Sequence, residues 1–291
     1  MSTPAEQTTV AAPVTRRGVG LHTGARTALR LLPAEPNAGI VFVTRSGAEI
    51  PATADHVAAS ERATTLGAGE ASVRSVEHLL AALYALGPDN VRIEVDGPEV
   101  PACDGSALEW VGALAEAGQR PLGVPRRSAR LPHPVWAGQG AWWSVAVPAD
   151  RLALAVAVEF EGTVAGRQVL WVDSVRERFE RELAPARTFA LADEVARLRA
   201  AGLALGGGAD NAFAVGPDGY SGPLRFPDEV VRHKALDLIG DLALCGARFE
   251  AQVFAVRPSH SANVQLARAL RAAFGAPAAV GPTTAGQEGR L

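Results

Sequence analysis

Apolar residues recur along this chain with two periods, and the switches between them lay out the elements. Alternation of apolar and polar positions puts every second side chain on one face of a strand. It marks residues 27–31, where Thr27, Leu29 and Leu31 alternate with Ala28 and Arg30. With the preceding VTRRGVG, this stretch predicts two strands around Gly-rich turns; GIVFVTR (39–45) and VRIEVDG (91–97) predict two more. Helical spacing takes over after RATTLGAG, in SVEHLLAALYALG (75–87), which stops at Gly87. It returns in ALEWVGALAEAG (107–118), closed by Gly118 after the Pro-rich turn PEVPACDGSA.

A second series begins after QRPLGVPRRSARLPHP (119–134), whose prolines and arginines predict a linker. AWWSVAVPA (141–149), RLALAVAVEF (151–160) and RQVLWVD (167–173) predict strands, and ADEVARLRAAG (192–202) predicts a helix stopped at Gly202. LALGGGADNAFAV reads as a Gly-rich loop entering a strand; Gly206 to Gly208 form a bend, because no helix opens there as a dinucleotide fingerprint requires. A helix over 229–244, a strand RFEAQVFAV (248–256) and a last helix SANVQLARALRAAFG (261–275) follow. Residues 1 to about 12 and the tail from 276 read as loose ends.

Each half thus runs from strands to a His-bearing helix, a Gly stop, a strand, a turn and a closing helix. His78 lies on the helix of the first half and His233 on that of the second. This predicts an α+β fold of two similar two-layer domains, an internal duplication, residues 1–124 carrying Glu77 and His78 and residues 125–291 carrying His233, Asp237 and His260. A pocket between such domains is a favoured place for a site.

Composition narrows the classes. With 291 residues, 48% hydrophobic and 20% charged, the chain can bury an ordinary core. A net charge of -3 gives no support to a nucleic-acid partner or a polybasic membrane surface. Cys103 and Cys245 sit in no paired motif and read as reduced thiols. The opening MSTPAEQTTVAAP has no basic region followed by an apolar one, and no apolar run is long enough to cross a membrane. A cytoplasmic monomer is expected.

Candidate chemistry centres on RHKALDLIGD (232–241). His233, Asp237 and Asp241 stand four residues apart, so a helix puts them on one face, drifting by roughly 40° per step. Leu236, Leu238, Ile239 and Leu242 are interleaved with them, and charges in such surroundings are paired or bind a metal. The other reading of this helix is an amphipathic one with a solvated polar face. A His and an Asp at i and i+4 can chelate one ion. Joined by His78, they give two nitrogens and one oxygen, with a further position open, as in a catalytic zinc site. Zn²⁺, one per chain, is the first assignment, and Fe²⁺ suits the same ligands. Glu77 adjoins His78 and diverges from it by roughly 100°, so it can act as general base on water made acidic by the metal.

The remaining candidates are less constrained. His260, in RPSHSAN, is a further histidine candidate or a helix-start residue without a role. Asp241 orients a histidine or holds Lys234, unless it is a surface carboxylate. His22 reads as a turn residue packed on a strand, while His56 and His133 receive no function. Thr188, in ARTFA, offers a hydroxyl near a strand end, though spacing alone does not single it out.

Taken together, GVGLHTG, TTLG, SVEHLLAAL, DNVRIEV, DGSA, ARTF, GLALGGGADNA, RHKALDLIGDL and the late SH resemble the UDP-3-O-acyl-N-acetylglucosamine deacetylases, in order and over residues 18–270. These are zinc enzymes of lipid A biosynthesis. The resemblance implies helices packed between two sheets and zinc on His78, His233 and Asp237, with Glu77 as base. It implies that His260 protonates the leaving amine, that Thr188 stabilises the oxyanion, that Lys234 meets the substrate and that Asp241 holds His260. It further implies an inserted passage for the acyl chain over residues 189–213, with Phe189, Leu203 and Gly207 among the substrate contacts. Two other readings stay open: a deacetylase of a different N-acyl amino sugar, and a catalytically silent ligand-binding relative. Glu77 counts against the latter, since a purely structural site needs no base.

Overall fold

The structure, a computed structural model, describes residues 5–126 and 128–275. A five-stranded sheet in the first half orders Val14–Val19, Arg26–Pro33, Val91–Val95, Ile40–Thr44 and Glu49–Pro51. The second half builds Val135–Gln139, Trp142–Pro148, Arg248–Val256, Ala153–Phe160 and Gly166–Val172 into another, with Ser128–Arg130 added alongside Arg248–Val256. Along both orders the pairing runs antiparallel, antiparallel, parallel, antiparallel. The alternation over residues 27–31 sets the burial of strand Arg26–Pro33: Thr27, Leu29 and Leu31 are buried.

The helices α1 (Glu77–Leu86), α2 (Leu108–Ala117), α3 (Val175–Arg178), α4 (Val195–Ala200), α5 (Glu229–Ala243) and α6 (His260–Ala273) complete the α+β fold. α5 packs on α1 and on strands 153–160 and 166–172, while α6 packs on strands 135–139 and 142–148. Helix α1 buries Leu79, Leu80 and Leu83, and its end is held by Arg248, which donates to the carbonyls of Leu83, Tyr84 and Gly87. Helices α1 and α5 approach closely at Gly240, where a Cβ would stand 2.0 Å from the Glu77 carbonyl oxygen. Only glycine admits that approach, and it lies between Asp237 and Asp241.

Several expectations need correction. Residues 6–10 are not a loose terminus: Glu6–Val10 pairs antiparallel with Gln119–Pro125, and Val10 is fully buried. The same pairing removes the linker. Pro121 and Pro125 are compatible with a strand here because Gln119–Pro125 belongs to a two-stranded ribbon, where one edge needs no donor. RATTLGAG does not lead directly to a helix; Val57–Ala59, Thr65–Ala68 and Ala71–Val73 form a small sheet first. The helix expected over 192–202 covers only Val195–Ala200, between parallel strands Phe189–Leu191 and Phe213–Val215. The tail from residue 276 lies outside the described residues.

Candidate active site

Helix α5 presents its polar residues inward. His233, Asp237 and Asp241 are 3%, 2% and 0% exposed, which overturns the solvated-face reading. The Nδ1 of His233 lies 3.0 Å from the carbonyl oxygen of Ala186 and must donate to it, leaving Nε2 with its lone pair. That Nε2 is 3.3 Å from Asp237 Oδ1, and His78 Nε2 reaches the same oxygen at 3.4 Å from α1. The other carboxylate oxygen takes Lys234 Nζ at 2.7 Å. Asp237 Oδ1 is buried and accepts no hydrogen bond, although it faces two imidazole nitrogens. An orphaned buried oxygen of this kind normally costs stability unless something is bound to it. The ligand atoms of His78, His233 and Asp237 lie within 4.8 Å of one another, so the set fits a divalent cation.

Electrostatics agree with that fit. Burial drives the His233 imidazole down to about 4, outweighing the attraction of Asp237, so it is neutral and able to ligate. Burial would raise Asp237, but His233, Lys234, His260 and His78 together hold it well below the usual carboxylate range.

Beside this cluster stands a second. Glu77 is 5% exposed, and burial raises its pKa above the ordinary value, with His260 and His78 opposing the rise. Its Oε2 accepts from the Thr64 backbone N–H at 3.0 Å. Asp241 Oδ2 accepts from His260 Nδ1 at 3.0 Å and from Asn263 Nδ2 at 2.9 Å. Asp241 is therefore a partner of His260 and neither a surface carboxylate nor the holder of Lys234. Burial alone would lower His260, but the charges of Asp241, Asp237 and Glu77 raise it to about 9. His260 opens α6, with Ser259 as the N-cap.

A cavity of about 690 Å³ gathers Glu77, His78, Thr188, Phe189, His233, Lys234, Asp237 and His260 on its wall. Asp241 supports His260 from behind. Thr188 is fixed by its N–H to Gly105 O at 2.8 Å, so the DGSA turn positions it. A Cβ on Gly105 would come within 1.6 Å of Asn211 O, and its φ of +77° also demands glycine. Leu203 and Gly207 lie in the loop after α4 and are not among the residues lining this cavity. His22 is buried in its turn and also reaches the cavity; Glu99 holds that turn through the His22 and Thr23 N–H groups. The His56 ring bonds to Thr53 Oγ1 on the same short helical turn, and His133 is exposed. Thr64, Asn263 and Glu99 have no sequence pattern of their own; only the TTLG, RPSHSAN and PEVP stretches that contain them stood out.

A buried carboxylate and a buried cationic imidazole beside a set of side chains that fits a cation suit hydrolytic acid–base chemistry. Comparison with known proteins supplies the rest. The family model described as LpxC: UDP-3-O-acyl N-acetylglycosamine deacetylase matches residues 7–272. A protein of Trichormus variabilis named UDP-3-O-acyl-N-acetylglucosamine deacetylase is 42% identical over 276 residues, covering 92% of this chain and 99% of its own length. Proteins of the same name from Thermosynechococcus vestitus and Brucella melitensis biotype 2 are 44% and 40% identical, each over 91% of this chain and over 93% and 95% of their own. The chain belongs to this deacetylase family.

Proposed function

We propose that this protein hydrolyses the N-acetyl amide of UDP-3-O-acyl-N-acetylglucosamine, releasing acetate and the free amine, the committed step of lipid A biosynthesis. The observation that carries the reading is Asp237 Oδ1, buried, without a hydrogen bond, and facing His78 and His233. These residues would hold the metal, Zn²⁺ first and Fe²⁺ as the competing ion. When bound there, the ion supplies a Lewis acid that polarises the acyl oxygen and makes water acidic near neutral pH. Glu77, pinned through Oε2, takes the water proton on its free oxygen. The Thr188 hydroxyl stabilises the negative oxygen that develops on the acetyl carbon. His260, charged at neutral pH, gives its proton to the departing nitrogen as the C–N bond breaks, and Asp241 keeps that imidazole charged. Lys234 stands 2.7 Å from Asp237 on the cavity wall and meets an anionic part of the substrate there.

The acyl chain belongs against the apolar part of the cavity lining, to which Leu21, Phe160, Phe189 and Leu191 contribute. Phe160 meets the Phe189 ring edge-on at 5.4 Å, which keeps that wall in place. On this reading the chain lies against Phe189, while Leu203 and Gly207 stay outside the cavity lining, Gly207 next to Leu21. A division near residue 124 into two α+β domains from one duplicated ancestor is part of the same reading, and the shared strand order supports it. Among the described residues, no helix is long and apolar enough to cross a membrane; we infer a cytoplasmic enzyme.

Acetate release tests the reading. The kcat/KM for UDP-3-O-acyl-N-acetylglucosamine should exceed that for N-acetyl sugars lacking the chain, and it should rise with acyl length, each buried methylene contributing about 0.8 kcal/mol. A flat dependence on length would favour a different N-acyl amino sugar, and no hydrolysis of any member of the panel would favour a silent ligand-binding protein.

A further inference from the structure

We infer that Thr64 is a positioning residue that ties the proton-accepting carboxylate to the proton-donating imidazole. The inference rests on the deacetylase reading above. Thr64 is fully buried at the entry to strand Thr65–Ala68, and each of its polar groups is engaged at the site. Its N–H donates to Glu77 Oε2 at 3.0 Å. Its carbonyl accepts from Val76 N, the residue before α1, at 3.3 Å. Its hydroxyl donates to Asp241 Oδ1 at 2.5 Å, across 177 residues of sequence. The opposite oxygen of Asp241 takes His260 Nδ1.

One small side chain and its backbone therefore join α1, α5 and, through Asp241, α6. The consequences for proton transfer are specific. With Oε2 of Glu77 occupied by a backbone donor, Oε1 is the oxygen left to accept the proton of water. With Oδ1 of Asp241 occupied by the Thr64 hydroxyl, the carboxylate plane is fixed and Oδ2 is aimed at His260. Asn263 adds a donor to the same Oδ2 at 2.9 Å but touches neither Glu77 nor α1. Among the described residues, Thr64 is the link by hydrogen bonds between Glu77 and the Asp241–His260 pair.

The hydroxyl can be removed without losing the N–H bond. Thr64→Val keeps the shape, Thr64→Ala removes the hydroxyl with less crowding, and Thr64→Ser keeps the hydroxyl. Steady-state deacetylation of UDP-3-O-acyl-N-acetylglucosamine should show kcat reduced roughly 10- to 100-fold in Thr64→Val and Thr64→Ala, with KM changed less than about threefold, because the lost interaction matters only in the transition state. Metal content should equal that of the wild type, and Thr64→Ser should recover kcat to within about threefold. In a His260→Gln background, Thr64→Val should cost less than about twofold, since a group that acts through His260 has nothing left to orient. Unchanged kcat in whichever hydroxyl-lacking variant folds, or a full kcat loss repeated in the His260→Gln background, would overturn the inference. The deacetylase reading fails separately: no acetate release by metal-loaded wild-type protein would sink that reading whatever Thr64 does, whereas Glu77→Gln and His260→Gln with wild-type kcat would remove only the roles given to those two residues.

Discussion

His260 is held charged at this site by the carboxylates around it. It is 8% exposed and hydrogen-bonded to a carboxylate with no exposure at all, and its pKa is about 9 against an ordinary value near 6.5. A group raised on folding contributes stability that is complete below its unfolded pKa and is lost as pH rises through its folded one. Denaturant unfolding of metal-free protein should therefore lose roughly 3 kcal/mol between about pH 6.5 and 9, an order-of-magnitude figure from linkage. In His260→Gln this loss should vanish, and a mutant that keeps the same pH slope would assign it to another group. The residues legible in the sequence are those whose spacing encodes a shared face. His233, Asp237 and Asp241 follow the helical period, and Glu77 adjoins His78. Thr64 and Asn263 were not legible, because their partner Asp241 lies 177 and 22 residues away and no period connects them. The role of His260 came from resemblance; its geometry became readable only once Asp241 was seen against it.

At the scale of elements, the site depends on how closely α1 and α5 approach. Gly240 is the contact point, one turn from Asp237 and next to Asp241 in sequence, and its missing Cβ leaves space for the Glu77 carbonyl. Gly240→Ala should force the helices apart. Overpacking of this type costs about 1–3 kcal/mol, so Tm should drop, and metal affinity should weaken because His78 is carried on α1 and its two partners on α5. An unchanged Tm together with unchanged metal affinity would show that the helices have room to spare. The sequence displayed five of the helices and most sheet strands through their periods, but it hid α3, too short for a helical period to register, and elements whose pairing is distant. Glu6–Val10 reads as a small, polar end until Gln119–Pro125 comes alongside it. The strand Val57–Ala59 is too short for alternation to register, and prolines disguised Gln119–Pro125. The helix over 192–202 was shortened to Val195–Ala200 because it connects parallel strands as a brief crossover.

Across the whole molecule, two sheets of equal strand order bring a helix from each half into contact, and the metal-ligand candidates are divided between those helices. His78 comes from the first half and His233 with Asp237 from the second, so the site exists only in the assembled chain. The order of elements in each half already suggested this arrangement, whereas the strand Phe189–Leu191, which lines the pocket, pairs only with the short and distant Phe213–Val215 among the described residues. The central claim is that these residues form a single metal site on which deacetylation depends. Protein stripped of metal should release no acetate from UDP-3-O-acyl-N-acetylglucosamine. On titration with Zn²⁺ or Fe²⁺, activity should rise and saturate at about one ion per chain, as expected of a catalytic site with three protein ligands, and Asp237→Ala should show neither the binding nor the activity. Full turnover by stripped protein, or undiminished binding and turnover in Asp237→Ala, would contradict the account.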